Sequence, residues 1–333
     1  MSTEGRIDVH CHSMTPAYRK AISSLGPTIR TPEWSPQAAV DFLDRHGSAA
    51  AVLSLSVPGV HHGDDAKARE LAMRCNDEAA EYVARYPKRL GSFGTLPIPD
   101  VDGACQEAER ALDVLKLDGI GLLSSYAGKY LGDPSFDPLM EVLDERSAVV
   151  LVHPTNHPST RVVREEISGG IGNFLVEFLF DTTRAALNLL FNAALDRFPA
   201  IRFILCHAGG TLPYAAWRIA EIASRQLNAP PWDEQYPSPF MERHSGRVTV
   251  ELVLAQMRRF WYDTALAAGP QTFGCLRTVA DPGRILFGSD WPYCPDAMTE
   301  DMLKALAGVS FSEKERQAIE RDNALSLLPR LRA

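Results

Sequence analysis

The sequence predicts an α/β fold, a closed barrel of eight parallel strands and eight helices that forms one domain over residues 1–333. Eight short apolar runs alternate with longer segments whose apolar residues recur every three or four positions. The runs are almost continuously apolar, as strands buried on both faces of a sheet require. Regular alternation of strand and helix predicts a parallel sheet, and eight repeats favour its closure into a barrel. An open doubly wound sheet is the alternative, but no G-x-G-x-x-G motif follows any of the runs.

The elements follow one another along the whole chain. The predicted strands are 6–12, 49–55, 89–97, 119–124, 148–153, 202–207, 258–264 and 284–290. The clearest helical patterns are 64–86, 102–116, 136–146, 179–197 and 211–226. In the first of these helices, Asp64 or Asp65 is suited to cap the start, and Pro87 ends the pattern.

Two connections are longer than barrel loops need to be. They span about 155–176, which contains Arg161 and Arg164, and about 227–250, which is rich in proline and aromatic residues. Both follow strands at the face where barrel active sites lie, so a functional loop and a plain surface insertion are both plausible.

The composition excludes several classes of protein. Hydrophobic residues make up 45% of the chain and charged residues 23%, which is ordinary for a globular protein. The net charge of −8 argues against nucleic acid and anionic membranes as partners. The six cysteines form no C-x-x-C pair, and we find neither a signal peptide nor an apolar stretch long enough to span a membrane. We therefore expect a cytoplasmic protein with reduced thiols.

Histidine and aspartate residues stand at the ends of four of the apolar runs. They are His10 and His12, His153, His207 and Asp290. In a barrel, the carboxyl ends of all strands meet at one mouth, so these side chains are predicted to converge. Alternation along the first strand places His10 and His12 on the same side. Imidazole nitrogens with a carboxylate oxygen suit a divalent ion such as Zn²⁺ or Mn²⁺.

Each of these residues has a simpler explanation when taken alone. His153 could be a core histidine and Asp290 a helix cap, so the prediction of a metal site depends on their conjunction. The end of the fourth strand offers Ser124 and Ser125 but no lysine or acid to bridge a second ion. One ion per chain is therefore expected, which leaves His207 or Asp290 free to act as a proton carrier.

Four motifs carry a resemblance to a known family. IDVHCH near the start, LVHP at 151–154, CHAGGTLPY at 206–214 and FGSDWP at 287–292 resemble the metal-dependent decarboxylase branch of the amidohydrolase superfamily. This branch includes aminocarboxymuconate semialdehyde decarboxylase and γ-resorcylate decarboxylase. Segments 130–155 and 180–210 are most similar to 6-methylsalicylate decarboxylases. The resemblance implies a TIM barrel of amidohydrolase type.

The resemblance also implies roles for individual residues. His10, His12, His153 and Asp290 would be the metal ligands, and His207 and Asp290 the catalytic residues. Arg218 matches an arginine that the family donates across a subunit boundary, so a homodimer is expected. Ala39 occupies the position of a second substrate-binding arginine, and its loss argues against a dicarboxylate substrate.

The predicted activity is non-oxidative decarboxylation of a hydroxybenzoate-type acid such as 6-methylsalicylate, with one divalent ion and no organic cofactor. Besides Arg218, we expect Tyr126 and Trp291 near strand ends to contact a small aromatic carboxylic acid. The family suggests that Asp290 donates a proton to the ring carbon while His207 holds or relays it, but activation of water by His207 stays open. The alternative function is metal-dependent hydrolysis of a lactone, ester or amide by the same residues.

Overall fold

The computed structural model describes residues 5–26, 31–160, 172–228, 238–244 and 248–332. Eight strands form one parallel sheet in which each strand pairs with the next along the chain. They are β1 (Arg6–His12), β2 (Ser48–Ser54), β3 (Leu90–Gly94), β4 (Gly119–Leu123), β5 (Val149–His153), β6 (Arg202–Leu205), β7 (Trp261–Asp263) and β8 (Ile285–Leu286). Each coincides with a predicted run, although several are shorter.

Backbone hydrogen bonds between β1 and the segment after β8 close the barrel. The Val9 N–H donates to the Phe287 carbonyl (3.0 Å), and the Asp290 N–H donates to the His10 carbonyl (2.7 Å). Further along, Cys11 and Trp291 form a parallel bridge. The first and last strands therefore meet, and the predicted eight-stranded barrel is confirmed.

Helices follow the strands around the barrel. Among the described residues they include α1 (Pro16–Ser23), α2 (Pro36–His46), α3 (Asp65–Arg85), α4 (Val101–Glu109), α5 (Asp137–Glu145), α6 (Glu177–Phe191), α7 (Ala194–Arg197), α8 (Leu212–Asn228), α9 (Pro239–Arg243), α10 (Val250–Met257), α11 (Pro270–Val279), α12 (Asp296–Gly308), α13 (Glu313–Gln317) and α14 (Asn323–Leu327). Asp64 caps α3, as predicted, by accepting a hydrogen bond from the Lys67 N–H. The single helix predicted over 179–197 is divided into α6 and α7, because Ala193 has a φ of 54°.

A bulge interrupts β1 between Asp8 and Cys11. Asp8 pairs with Ala51 and Cys11 with Leu53, so three residue steps on β1 face two on β2. Such bulges are common beside active sites, where they redirect side chains. The strict alternation assumed for this strand is therefore broken, although His10 and His12 still face each other.

The opposite end of the barrel is closed by apolar packing. Leu325, Leu328 and Leu331 from α14 and the following turn are buried in one cluster with Ile7 and Val149 at the starts of β1 and β5. Arg330 reinforces this end through a bidentate pair with Asp118, just before β4. In the part of the chain that the structure describes, no helix has the length and apolar character needed to cross a membrane.

Candidate active site

The structure brings the five predicted polar residues together at the carboxyl ends of the strands. His10 and His12 lie on β1, His153 is the last residue of β5, and His207 and Asp290 follow β6 and β8. All five are buried, with Asp290 the most exposed at 7%. Because each strand ends at the same mouth, residues distant in sequence meet in a cluster that is largely shielded from water.

The candidate ligand atoms lie within a few ångströms of one another. The Nε2 atom of His12 is 3.1 Å from Nε2 of His10 and 3.0 Å from Oδ1 of Asp290. One candidate ligand atom from each of His10, His153, His207 and Asp290 forms a group in which all distances are within 4.8 Å. His207, predicted as the proton carrier, thus belongs to the same group as three of the predicted ligands, whereas the fourth, His12, adjoins it through His10 and Asp290.

Hydrogen bonds fix the tautomers of the three predicted histidine ligands. Nδ1 of His10 lies 2.8 Å from Oδ2 of Asp263, and Nδ1 of His153 lies 2.7 Å from the Pro154 carbonyl. Nδ1 of His12 faces the carbonyl and the hydroxyl of Ser54 at 3.3 and 3.2 Å. Because carbonyl and carboxylate oxygens only accept, each Nδ1 carries the proton and each Nε2 presents a lone pair.

This donor set fits a divalent cation. In the neutral histidines, three Nε2 lone pairs and a carboxylate face one another without a proton between them, which is unfavourable unless a positive charge lies among them. Nitrogen and oxygen donors in this number suit Zn²⁺ or Mn²⁺. Histidine ligands whose other ring nitrogen is hydrogen-bonded to the protein are typical of such sites.

His207 differs from the other three histidines. Its Nδ1 atom is buried and has no hydrogen-bond partner among the described residues. Its Nε2 atom lies 3.6 Å from Oδ2 of Asp290, an ion-pair distance rather than a hydrogen bond. Nothing in the described surroundings therefore fixes which ring nitrogen of His207 carries the proton.

The backbone is strained at the two predicted catalytic residues. His207 has a φ of 56° and Asp290 a φ of 64°, in the left-handed region that residues other than glycine rarely adopt. Such conformations cost about 1–3 kcal/mol each and cluster at functional sites. Gly288, two residues before Asp290, leaves room for His10, because a Cβ atom at position 288 would lie 2.8 Å from Cβ of His10.

The electrostatic environment favours the donor forms of most of these groups. Burial opposes ionisation of Asp290, but the neighbouring imidazoles of His12 and His207 hold its pKa well below the usual range. Burial lowers the pKa of His12 and of His153, which keeps both neutral. Burial also disfavours charged His10, but Cys206 and Asp263 outweigh it and raise its pKa, so a proton competes with a cation for Nε2.

Two buried carboxylates extend the site. Asp8 lies beneath the histidines, where its Oδ1 accepts hydrogen bonds from the N–H groups of His10 and Ser289, and burial raises its pKa to about 7. Asp263 contacts both sides of the cluster and was not among the predicted residues. It ends an apolar run, so the signal that identified His153 would also have identified Asp263.

A third buried carboxylate, Asp181 on α6, organises the neighbouring wall. It accepts hydrogen bonds from the Ser124 hydroxyl, the Tyr130 hydroxyl (2.9 Å) and the Thr155 N–H (2.9 Å). These bonds join the chain after β4 to the chain after β5, two residues beyond His153. No sequence signal marks Asp181, because its partners come together only in the folded barrel.

One cavity, of about 310 Å³, lies at the amino ends of the strands. Another, of about 300 Å³, opens at the carboxyl ends, and none of the five polar residues is among its lining residues. Its walls come from the segments after β2, β3, β4 and β5 and include Leu55, Leu96, Leu123 and Thr155. Tyr126, which the sequence predicts to contact the substrate, lines this cavity. Its hydroxyl accepts a hydrogen bond from the Leu123 N–H (2.7 Å), so this oxygen is engaged with the backbone.

The other predicted substrate contacts lie in different surroundings. Trp291 is buried and its ring stacks on Phe42 with centroids 4.9 Å apart, in an apolar cluster that includes Ala39. This is a packing contact against α2, and it gives no support to a role in substrate binding. Arg218 is exposed on α8. Arg161 and Arg164, in the predicted 155–176 loop, lie outside the described residues.

Comparisons with known proteins now identify the family. The sequence profile of the amidohydrolase family matches residues 7–330, so the chain belongs to the amidohydrolase family. A decarboxylase of Aspergillus niger, yanB, is 34% identical over an alignment that covers 98% of this chain and 88% of that protein. The 6-methylsalicylic acid decarboxylase of Penicillium expansum is 33% identical, with 98% and 97% covered.

A solved structure gives the same result. The dihydroxybenzoic acid decarboxylase from Polaromonas, with bound manganese and the inhibitor 2-nitroresorcinol, has a TM-score of 0.82 and 26% identity to this chain. The match covers 99% of this chain and 98% of that one. The resemblance to the decarboxylase branch and the amidohydrolase-type barrel that it implied are confirmed.

Proposed function

We propose that this protein is a metal-dependent, non-oxidative decarboxylase of hydroxybenzoate-type acids, with 6-methylsalicylate as the first candidate substrate. The observation that carries the proposal is the contrast among the histidines. Three have Nδ1 anchored so that Nε2 is a donor, while His207 has an unanchored ring beside them. A fixed ligand set next to a group free to change its protonation suits a reaction that needs both a cation and a mobile proton.

His10, His12, His153 and Asp290 would hold one divalent ion, Mn²⁺ or Zn²⁺. When bound, the ion would orient the carboxylate and the adjacent phenolic oxygen of the acid and offset their negative charge. The described residues offer no comparable cluster away from this centre, apart from the group of His10, Cys206 and Asp263 that shares His10 with it.

The reaction requires a proton at the ring carbon that bears the carboxylate. Adding the proton there turns the ring into an electron sink; the bond to the carboxylate then breaks, its electrons restore aromaticity, and CO₂ leaves. Asp290 is held ionised, so we assign the stored proton to His207. From Nε2 of His207 it reaches the ring directly or through Oδ2 of Asp290, 3.6 Å away.

The aromatic ring and its substituent would extend from the polar cluster toward the cavity at the same end of the barrel. Leu55, Leu96 and Leu123 give this cavity an apolar side that suits a methyl group or a bare ring edge, although polar residues such as His61 and Thr155 also line it. Tyr126 would contribute its ring face, because its hydroxyl is already engaged. These features support a flat aromatic acid with an apolar substituent.

We further propose a cytoplasmic homodimer in which Arg218 reaches the partner's site. Arg218 is exposed on α8 beside Tyr214 and Trp217, which are 83% and 68% exposed, and such aromatic surface is typical of protein interfaces. All six cysteines are free thiols, as expected in a reducing compartment. An active species that sediments as a monomer would remove the role of Arg218 across subunits.

The decisive experiment is a substrate panel. Protein loaded with Mn²⁺ or Zn²⁺ is incubated with hydroxybenzoates, a muconate semialdehyde and simple lactones, while CO₂ and ring absorbance are measured. We expect CO₂ from 6-methylsalicylate or a close analogue. Turnover of lactones without CO₂ from any acid would instead establish the hydrolase alternative.

A further inference from the structure

Asp263 lies between the candidate metal ligands and the proton carrier. It is the last residue of β7 and is completely buried. Its Oδ2 atom contacts Nδ1 of His10 at 2.8 Å, and its Oδ1 atom accepts hydrogen bonds from the N–H groups of His207 (2.9 Å) and Ala265 (3.0 Å). One carboxylate thus touches a histidine on β1 and the main chain after β6.

We propose that Asp263 is a positioning residue that sets the tautomer of His10 through one oxygen and holds the strained main chain of His207 through the other. This inference rests on the metal centre proposed above. An ionised carboxylate can accept from both sides at once, through its two oxygens, without contributing a proton of its own.

The contact with His10 determines which ring nitrogen is available as a ligand. Oδ2 only accepts, so the proton must lie on Nδ1, and the lone pair must lie on Nε2. Nε2 is the atom that faces His12 and Asp290. A carboxylate partner also makes the ring a stronger donor than the carbonyl partner of His153 does.

The contact with His207 acts on the backbone. With a φ of 56°, His207 is held in an unfavourable conformation that needs support from its surroundings. The Asp263 Oδ1 atom supplies that support at the N–H group of the same residue. Asp263 therefore fixes the backbone position from which the His207 side chain extends, without contacting the imidazole ring itself.

The change Asp263→Asn separates these two actions. An amide has one accepting oxygen, and the two backbone N–H groups of His207 and Ala265 require that oxygen on their side. The NH₂ group then faces Nδ1 of His10, which must become an acceptor, so the proton moves to Nε2 and blocks the ligand atom. Asp263→Ala removes both actions.

The test titrates metal-free protein with Mn²⁺ and measures free Mn²⁺ by electron paramagnetic resonance. We expect Asp263→Asn to bind Mn²⁺ roughly 10–100-fold more weakly, as loss of a partner that orients a ligand does elsewhere. In ¹⁵N spectra of the Zn²⁺-loaded protein, the wild-type His10 should carry its proton on Nδ1, and the variant should carry it on Nε2. At saturating Mn²⁺, Asp263→Ala should have a lower kcat than Asp263→Asn.

Asp118→Asn is the matched control. Asp118 is also a buried carboxylate that accepts a backbone N–H, from Ser92 at 2.9 Å, but it lies at the opposite end of the barrel. This variant should bind Mn²⁺ as the wild type does. Wild-type affinity and an unchanged His10 tautomer in Asp263→Asn would overturn the proposal.

The outcomes also separate this inference from the metal centre itself. If the wild type takes up neither Mn²⁺ nor Zn²⁺, the metal centre is wrong, whereas normal uptake with an unaffected Asp263→Asn variant refutes only the role of Asp263. If the variant does not fold, the wild-type spectrum decides alone. Coordination of His10 through Nδ1 in that spectrum would contradict the proposal.

Discussion

The two ends of the barrel are built from the same strands but in opposite ways. At the carboxyl ends, β1 and β5 finish in histidines that are buried with ionisable neighbours and anchored through their ring nitrogens. At the amino ends, the same strands begin with Ile7 and Val149, which pack against leucines of the C-terminal segment. Charged residues at that end, such as Arg330 and Asp118, form a pair at the rim.

The difference shows where the fold bears a cost and where it gains stability. Buried ionisable groups and left-handed residues at the mouth are unfavourable for folding and are retained for chemistry. The apolar closure and the ion pair at the other end contribute stability without any part in the site. In barrels generally, the carboxyl-terminal face carries function and the other face carries stability.

Removing a candidate metal ligand should have the largest effect of the changes considered, and this effect should fall on metal binding and turnover rather than on stability. Replacing His10 or Asp290 by alanine leaves an incomplete donor set, so we expect loss of both the bound ion and measurable turnover. Metal analysis of the purified variants and a CO₂ assay check this, with one ion per chain expected in the wild type. Two ions per wild-type chain, or activity that survives exhaustive chelation, would contradict a mononuclear centre.

Replacing His207 tests whether the mouth itself contains two kinds of histidine. His207→Ala should retain most of the metal, because the anchored histidines remain, while turnover falls on the order of 10²–10⁴-fold through loss of a proton carrier. The metal content and kcat of the same preparation are compared. Loss of the ion along with the activity would make His207 a ligand.

At the other end, Leu328→Ala should affect stability alone. Leu328 is 2% exposed within the apolar closure, and truncating such a side chain costs about 2–4 kcal/mol. Urea unfolding measures the loss, and Mn²⁺ titration of the folded protein should give the wild-type affinity. A weakened Mn²⁺ affinity would show that the two ends are coupled.

Arg330→Ala should have the smallest effect. It leaves the nearly buried Asp118 carboxylate with fewer hydrogen bonds, a loss of roughly 1–2 kcal/mol for a partly solvated charged pair. Unfolding in urea should show this deficit at unchanged kcat, and Arg330→Lys should recover only part of it because lysine cannot form the bidentate contact. If Arg330→Ala lost more unfolding free energy than Leu328→Ala, the ion pair would contribute more to stability at this end than the apolar packing does.

The strands and the polar cluster were predictable because both follow from local patterns. Apolar runs identify buried strands, and a polar residue at the end of such a run must lie at the mouth. Asp263 satisfied this rule and was overlooked. Asp181 could not have been found, because a helix carries it and its partners Ser124 and Thr155 come from two other loops.

Side-chain direction was less predictable than position. The bulge in β1 changes the alternation of side chains between the two faces of the strand, and no residue type between Asp8 and Cys11 predicts it. Trp291 lies at a strand end like the candidate site residues, yet its ring packs on Phe42 because α2 presents an apolar face there. The direction of a side chain at a strand end depends on the helix packed beside it, and a local sequence pattern carries no information about that helix.

The seam of the barrel has a consequence for biosynthesis. His10 and His12 are synthesised well before Asp290, which meets them across that seam. At about 5–20 residues per second, a ribosome needs roughly 14–56 s to travel from one to the other. During that time the nascent chain can offer a passing cation only part of its coordination sphere. Metal binding by the proposed ligand set would therefore be complete only when β1 and the segment after β8 have paired.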